Sequence, residues 1–230
     1  MNRYGRRWSR GLPLGAALAV LAVWTAAAEW WSYPEAARIE VASTEGDPLS
    51  IRVDKSHRLP KDYVPKNLEV VPPEVIRTKV EIQVRAELLD ALRHLNEAAK
   101  RDRVDLSVIS GYRSFARQAQ VYASWLKLDA GDVDATDKYS ARPGHSEHQL
   151  GTVVDFSTAE IEDGIGPHFN KTRAAAWLSE HAGQFGFRLS YPKGKERETG
   201  YRHEGWHWRF WGDAQDPQND ARRGSTNPGP

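Results

Sequence analysis

The chain has 230 residues, enough for one domain of ordinary size with extensions. Its 32 lysines and arginines nearly balance 31 aspartates and glutamates, so it lacks the basic excess of a nucleic-acid binder. It contains no cysteine, which excludes disulfide scaffolds, cysteine-ligated zinc fingers and thiol catalysis. Such a chain must take its stability from its core or from a bound metal.

The first predicted element is a signal peptide or an N-terminal membrane anchor at residues 1–31. An uncharged apolar run at 11–28 is followed by Glu29 and preceded by basic residues, which are Arg3, Arg6, Arg7 and Arg10. This is the layout of a signal peptide, and the run is also just long enough to span a bilayer. Both interpretations predict export to the periplasm or cell surface, and an uncleaved segment would hold the protein in the inner membrane.

Residues 32–50 are predicted to be a linker, and the domain that follows is assigned to 51–212. Prolines recur up to Pro73, and proline resists helix and central strand, so an extended lead-in is expected. Within it, Ile51–Val53 is predicted to be a short strand. The tail at 213–230 is rich in Gly, Pro, Asn and Asp and is expected to be disordered.

Helical and strand patterns then alternate along the chain. A helix is predicted from Glu74 to Lys100, where apolar residues recur every three or four positions. Strands are predicted at 105–110, 152–156 and 206–210. Helices are predicted at 115–128, capped by Ser114, and at 172–184, capped by Thr172. A polar loop is predicted at 129–143. Few short strands interleaved with helices predict an α+β domain with a small, mostly antiparallel sheet flanked by helices.

The first motif with chemical content is SEHQLGTVVD at 146–155. His148 and Asp155 offer the nitrogen and oxygen donors that zinc accepts. A turn at Gly151 followed by a strand ending at Asp155 would bring the two side chains to one point. A buried His–Asp pair without metal is the alternative for this segment taken alone.

A second motif, EGWH at 204–207, supplies another histidine and a carboxylate. Catalytic zinc usually has three protein ligands and an open position for water, and a neighbouring carboxylate serves as general base. Three ligands and a base would meet this requirement. The candidate ligands are His148, Asp155 and His207, and the candidate base is Glu204.

The same stretch spells HEGWH from His203 to His207, a literal match to H-E-x-x-H. That motif binds zinc only on a helix, where positions four apart share one face. Gly205 and the alternating WHWRF run disfavour a helix here. The sequence therefore favours ligands split between two segments over a helical zincin site.

A third motif, SGYRS at 110–114, places Arg113 after a strand and before a helix. An arginine at this position can bind a carboxylate through two parallel hydrogen bonds. Carboxypeptidases need such a contact, because a free terminal carboxylate distinguishes their substrates from internal peptides. The alternative is an arginine that bridges surface carboxylates.

Taken together and in this order, the three motifs resemble those of the VanY-type zinc D-alanyl-D-alanine carboxypeptidases, over about residues 53–212. The resemblance implies Zn²⁺ on His148, Asp155 and His207, with Glu204 as catalytic base. It also implies a substrate site in which Arg113 binds the terminal carboxylate, lined by Ser146 and Gln118. The implied activity is removal of the terminal D-alanine from peptidoglycan stem peptides. The N-terminal segment predicts export, the balanced charge predicts no nucleic-acid partner, and a monomer is expected because nothing in the sequence points to an oligomer.

Leu150, Val153 and Gly205 depart from the family pattern, which has Thr, Ala and Pro at these places. They leave the ligands and the base intact and bear on substrate preference. Three alternatives stay open: an endopeptidase or D,D-dipeptidase with the same zinc site, a non-catalytic wall-binding module, and a signalling or scaffold protein on the same fold. The sequence does not separate D,D- from L,D-cleavage.

Overall fold

The computed structural model describes residues 32–212. The predicted signal peptide or anchor at 1–31 and the predicted disordered tail at 213–230 lie outside the described residues. Within 32–212, no helix is long and apolar enough to cross a membrane. The proposed boundary between linker and domain at residue 50 stays a prediction.

Between residues 32 and 212 the chain forms α-helices and short strands that alternate along the sequence. The α-helices are α1 (Leu89–Arg101), α2 (Phe115–Leu128), α3 (Val133–Thr136), α4 (Arg173–His181) and α5 (Glu196–Thr199). The strands are β1 (Glu40–Val41), β2 (His57–Arg58), β3 (Leu68–Val70), β4 (Arg77–Thr78), β5 (Gln83–Arg85), β6 (Ser107–Ser110), β7 (Val153–Ser157), β8 (Phe187–Leu189) and β9 (His207–Phe210). Short 3₁₀ helices lie between them, at Ala36–Arg38, Ala86–Leu88, Glu147–Leu150, Ala159–Ile161, Pro167–Lys171 and Ala182–Phe185.

The principal sheet has five strands in the order β4-β6-β7-β9-β8. The β4–β6 pair is parallel, and the other three pairs are antiparallel. The fold is therefore α+β as expected, but the sheet is mixed where a mostly antiparallel sheet was expected. The parallel edge comes from β4, which the sequence pattern had placed inside a helix.

One apolar cluster joins the helices to this sheet. Helix α1 contributes Leu92 and Leu95, helix α4 contributes Leu178, and β7 contributes Val154 and Phe156, all of them buried. Burial of a Leu or Phe side chain stabilises a fold by about 1.5–3 kcal/mol. Since all five residues of β7 are buried, this strand is the rigid centre from which functional side chains can project.

The helix predicted from Glu74 to Lys100 is shorter than expected, because α1 begins only at Leu89. Residues 74–85 instead contain β4 and β5, which pair with β6 and β3. Buried β-branched residues such as Ile76 and Val84 suit an extended backbone. Pairing with partners distant in sequence has therefore outweighed the helical spacing.

Two further predictions of local structure were wrong. Ile51–Val53 is not a strand, although both terminal side chains are buried, and the carbonyl of Ile51 accepts a hydrogen bond from the Arg209 side chain. The predicted loop at 129–143 contains the four-residue helix α3, whose first turn is capped by the Asp132 side chain.

Helix α2 begins where the sequence predicted, with Ser114 as its N-cap. The Ser114 hydroxyl accepts a hydrogen bond from the backbone N–H of Arg117 at 3.2 Å. Replacing Ser114 with alanine is expected to lower the free energy of unfolding by about 1 kcal/mol, measured by urea denaturation with an unchanged m-value. Ser124→Ala, in the exposed middle of the same helix, is the matched control and should change stability by less than about 0.5 kcal/mol. Equal losses from the two variants would contradict the capping assignment.

Candidate metal centre

Three polar side chains converge at the central strands of the sheet. Asp155 on β7 lies directly opposite His207 on β9 and Ser110 on β6. Opposed residues on neighbouring strands project to the same face, so the register alone brings Asp155 and His207 together. His148 lies on the 3₁₀ helix that precedes β7 and completes the group.

Gly151 makes the connection between that short helix and β7. Its φ of +69° lies in the left-handed region, which favours glycine. A Cβ at this position would also approach Leu68 Cδ2 to 3.0 Å and Arg85 Cγ to 3.1 Å. The turn therefore requires glycine, and it places His148 beside the strand that carries Asp155.

The side chains of His148, Asp155 and His207 are all buried and present donor atoms to one point. His148 Nε2 is 3.2 Å from Asp155 Oδ2, and His207 Nδ1 is 3.2 Å from Asp155 Oδ1. One ligand atom from each residue lies within 4.8 Å of the others. Two imidazole nitrogens and a carboxylate oxygen at this spacing form a candidate metal centre.

Unpaired atoms in the cluster allow a test of whether a metal fits. His148 Nδ1 is hydrogen-bonded to the Gly111 carbonyl at 2.6 Å, which turns Nε2 towards the cluster. His148 Nε2 and Asp155 Oδ1 are buried, and although each lies 3.2 Å from an atom of the cluster, neither makes a hydrogen bond of regular geometry among the described residues. Unpaired buried polar atoms are costly, and a cation between them would remove that cost. The N, N, O donor set is one that zinc accepts, so the residues fit a zinc ion.

The charges around the cluster shift the pKa values of both histidines. Burial, with the positive charge of Arg113 adding to it, lowers the pKa of His148 to about 4. Burial would also lower the pKa of His207, but close contact with the carboxylates of Asp155 and Glu147 outweighs it and raises the value to about 10. Without a cation, His148 is therefore neutral and can offer a lone pair, while the proton of His207 is held by its two carboxylate neighbours.

Glu204 lies beside the cluster, with its Oε2 at 3.8 Å from His207 Nδ1. Burial raises the pKa of Glu204 to about 7; the charge of Asp155 adds to this effect, and that of His207 opposes it. A carboxyl group that titrates near neutrality can both accept and return a proton. This position and environment suit a general base.

The structure also brings Arg113 to the cluster. Its Nη2 lies 4.0 Å from Asp155 Oδ2, and its backbone N–H donates to the His148 carbonyl at 3.1 Å. Arg113 Nε is buried without a hydrogen-bond partner among the described residues. The guanidinium group therefore lies near the candidate ligands and has an N–H group that can donate to a substrate.

The two other predicted site residues make their described contacts with the backbone. The Ser146 hydroxyl accepts from the backbone N–H of His148 at 3.4 Å and caps the 3₁₀ helix. Gln118 donates its Nε2–H to the Ala141 carbonyl at 2.7 Å, and its Oε1 is buried without a described partner. Ser146 therefore shapes the segment that carries His148. Gln118 connects α2 to the loop that follows α3 and leads to that segment.

The backbone from His203 to Trp206 is not helical, and β9 begins at His207. His203 Nδ1 is hydrogen-bonded to the Tyr191 carbonyl at 2.9 Å, and His203 is not part of the three-residue cluster. The H-E-x-x-H match therefore does not form a helical zinc site, as Gly205 and the alternating residues after it predicted.

Two buried residues next to the cluster were missed by the sequence analysis. Glu147 Oε2 lies 3.0 Å from His207 Nε2, and Glu147 Oε1 accepts from Arg209 Nη1 at 2.9 Å. One signal was available: Arg209 follows His207 by two positions on a strand, which places both side chains on one face. No comparable pattern points to Glu147, whose contact with His207 joins two segments that are distant in sequence.

Gly111 supports the site through its carbonyl and tolerates no side chain. A Cβ there would lie 2.5 Å from the Gln83 carbonyl oxygen and 2.6 Å from Ile82 Cγ2. Replacing Gly111 with alanine is expected to lower the free energy of unfolding by about 1–3 kcal/mol through overpacking, measured by urea denaturation. Gly183→Ala is the control, because nothing lies within 4 Å of its added Cβ. Similar stability of the two variants would contradict the close packing at Gly111.

A buried His–Asp–His cluster beside a carboxyl group of raised pKa, in an α+β domain, is the arrangement expected of a metal-dependent hydrolase. The VanY family model, described as D-alanyl-D-alanine carboxypeptidase, matches residues 81–213. That range contains all three motifs and more than half of the chain. The protein belongs to the VanY D-alanyl-D-alanine carboxypeptidase family.

Two curated relatives show how far the similarity extends. The chain is 36% identical over 163 residues to the "Putative carboxypeptidase YodJ" of Bacillus subtilis, covering 70% of this chain and 59% of that protein. It is 30% identical over 162 residues to the "Bifunctional D-Ala-D-Ala dipeptidase and D-Ala-D-Ala carboxypeptidase VanXYC" of Enterococcus gallinarum, covering 70% and 82%. The chain thus spans less than two thirds of the Bacillus protein and most of the Enterococcus protein.

Solved structures share the fold. The LD-carboxypeptidase LdcB matches with a TM-score of 0.71 and 27% identity, over 85% of this chain and 92% of that chain. A mutant of the D,D-pentapeptidase VanY from a VanB-type resistance cassette, solved in complex with Zn(II), matches with a TM-score of 0.57 and 29% identity, over 71% and 89%. The fold is therefore one on which a zinc complex has been observed.

Proposed function

We propose that this protein is a zinc-dependent carboxypeptidase that removes the terminal D-alanine from peptidoglycan stem peptides. The observation that carries the proposal is the convergence of His148, Asp155 and His207 on one point, with buried donor atoms left unpaired. Membership of the VanY family and the Zn(II) complex of a related structure support it. In this proposal the ligand atoms are His148 Nε2, His207 Nδ1 and a carboxylate oxygen of Asp155.

Glu204 is the proton carrier of the proposed reaction. A bound zinc ion would supply Lewis-acid chemistry, lowering the pKa of water and polarising a carbonyl group. Glu204, at the edge of the ligand group, accepts the proton of the attacking water and returns it to the leaving amine. Its side chain is 13% exposed, so water can reach the carboxyl group while little bulk solvent competes for the proton.

Arg113 is the proposed binding group for the terminal carboxylate of the substrate. It lies 4.0 Å from Asp155, so a carboxylate bound to it would stand next to the ligands. Ser146 and Gln118 are proposed to line the same site, where the unpaired Gln118 Oε1 offers an acceptor for a substrate N–H. These contacts would restrict cleavage to the last residue of a peptide.

A second candidate activity is hydrolysis of the dipeptide D-alanyl-D-alanine. The Enterococcus gallinarum relative is described as having both dipeptidase and carboxypeptidase activity. The same ligand group and base would serve both reactions, since both substrates end in D-alanine with a free carboxylate. Substrate length, rather than the chemistry of the centre, would separate the two activities.

We also propose that the domain works outside the cytoplasm as a monomer, linked to the membrane if residues 1–31 are not cleaved. The support for export and for membrane attachment is the basic, apolar and small-residue pattern of that segment. Peptidoglycan stem peptides lie on that side of the membrane, so the substrate and the predicted export agree.

The full chain incubated with stem pentapeptide, stem tetrapeptide and D-alanyl-D-alanine tests the activity, with products identified by mass. We expect loss of one alanine that stops on addition of a chelator and returns with zinc. Cleavage of the pentapeptide indicates D,D-specificity, and cleavage of the tetrapeptide indicates L,D-specificity. Zinc binding without cleavage of any substrate would contradict the proposal and favour an endopeptidase or a wall-binding module.

A further inference from the structure

Glu147 is a buried carboxylate that the proposed reaction does not use. It lies next to His148 in sequence, but its side chain contacts His207, with Oε2 at 3.0 Å from Nε2. Its side chain is 9% exposed and that of His207 is 5% exposed, so little water competes for this hydrogen bond. A buried carboxylate in contact with one candidate ligand requires an explanation.

Arg209 holds Glu147 from the other side. Its Nη1 donates to Glu147 Oε1 at 2.9 Å, and its Nη2 donates to the carbonyls of Leu49 and Ile51 at 2.8 and 2.7 Å. The Arg209 side chain is only 2% exposed. The Glu147 carboxylate is therefore fixed by a guanidinium group that is itself anchored to the extended lead-in.

The contacts of His207 define which of its ring nitrogens faces the other ligands. Nδ1 lies 3.2 Å from Asp155, whereas Nε2 lies on the opposite side of the ring, against Glu147. The Tyr191 ring packs against His207 with centroids 4.8 Å apart, and the His148 ring meets it edge-on at 4.9 Å. Packing restricts the ring without distinguishing its nitrogens, whereas Glu147 places a hydrogen-bond acceptor at Nε2 and leaves Nδ1 on the side of Asp155.

We propose that Glu147, held by Arg209, is a positioning residue that keeps the Nε2–H of His207 towards itself and reserves Nδ1 as a metal donor. This inference rests on the proposed function, since it concerns the ligand assigned there. A carboxylate that accepts the second N–H of a ligating histidine fixes its tautomer and orientation and raises its basicity as a ligand. Glu147 acts through His207 and is not itself a ligand or a base.

Zinc affinity of the full chain, measured by competition with a chromogenic chelator, tests the proposal. Glu147→Ala removes the acceptor and is expected to raise the zinc Kd about 10- to 100-fold. Glu147→Gln keeps an oxygen acceptor for the Nε2–H and should restore part of that loss. This graded order, with the glutamine variant between wild type and alanine, reflects hydrogen bonding to His207 rather than side-chain volume.

Asp47→Asn is the matched control for loss of a buried ion pair. Asp47 is buried and pairs with Arg85 at 3.2 Å, and it is not part of the three-residue cluster. This variant is expected to lower the melting temperature while leaving the zinc Kd within about twofold of wild type, as expected for independent sites. A destabilised fold without a change in affinity therefore separates general stability from positioning.

Imidazole ¹⁵N NMR of the zinc-loaded chain supplies a second measurement. In wild type, His207 should bind through Nδ1 and carry its proton on Nε2, and Glu147→Ala should give a mixture of the two arrangements. An unchanged Kd together with a single His207 signal in the variants would overturn the proposal. If Glu147→Ala does not fold, Glu147→Gln decides by the same two measurements. Failure of wild type to bind zinc would overturn the proposed function instead.

Discussion

Replacing Glu204 with glutamine should lower the turnover number for stem-peptide cleavage by about 10²- to 10⁴-fold while zinc stays bound. Glutamine has nearly the same shape but cannot accept a proton from water. Glu204 Oε2 lies 3.8 Å from His207 Nδ1 and is outside the three-residue cluster, so the ligand group is preserved. The loss should therefore fall on kcat, with the zinc Kd little changed.

Release of alanine at saturating zinc, followed by mass, measures the effect of Glu204→Gln. Glu180→Gln, on the exposed surface of α4, is the control for removal of a carboxylate and should match wild type. A Glu204→Gln rate within tenfold of wild type would show that another group carries the proton. Loss of zinc binding in the same variant would instead place Glu204 among the ligands.

Several elements could be predicted because their signals are local. Helix α2 has the predicted bounds because Ser114 caps its first turn, and Thr172 caps α4 in the same way. The alternating residues after Trp206 identified β9 within one residue. In each case a side chain or a period within a few residues decides the backbone conformation.

Other elements depended on partners far along the chain. The apolar spacing around Val84 fits a helix as well as a strand. In the structure Val84 lies in a strand, because β5 pairs with β3. Arg77 pairs in parallel with Ser107, and this contact makes the sheet mixed. No local sequence pattern distinguishes a short paired strand from a helical turn. Here the contacts between distant strands outweighed the helical spacing of residues 74–85.

The candidate site divides in the same way. The motifs named three residues that the structure brings to one point, His148, Asp155 and His207, while their roles and that of Glu204 stay predictions. Glu147 and Arg209 are 62 positions apart, and no spacing or motif marks either of them as a site residue before the fold brings them together. The role proposed for Glu147 rests on its hydrogen bond to His207 Nε2, which only the three-dimensional structure reveals.

Replacing Arg113 with methionine should reduce kcat/KM for a peptide with a free terminal carboxylate by roughly 30-fold to several thousandfold. This range corresponds to about 2–5 kcal/mol for removing one partner of a buried, hydrogen-bonded charge pair. The expectation follows from a guanidinium group that is 22% exposed, lies 4.0 Å from Asp155 and keeps an unpaired Nε among the described residues. Arg113→Lys should be intermediate, because an ammonium group cannot form two parallel hydrogen bonds.

The same peptide with a terminal amide makes this test specific. Wild type should strongly prefer the carboxylate, and Arg113→Met should cleave the two peptides at similar, low rates. Arg117→Met, in the first turn of α2 and exposed, is the control and should keep the wild-type preference. The zinc Kd of each variant is measured in parallel, because Arg113 also faces Asp155, a proposed zinc ligand. If Arg113→Met bound zinc normally and still preferred the carboxylate as wild type does, the terminal group would have to be recognised by another residue, and exopeptidase specificity would not depend on this arginine.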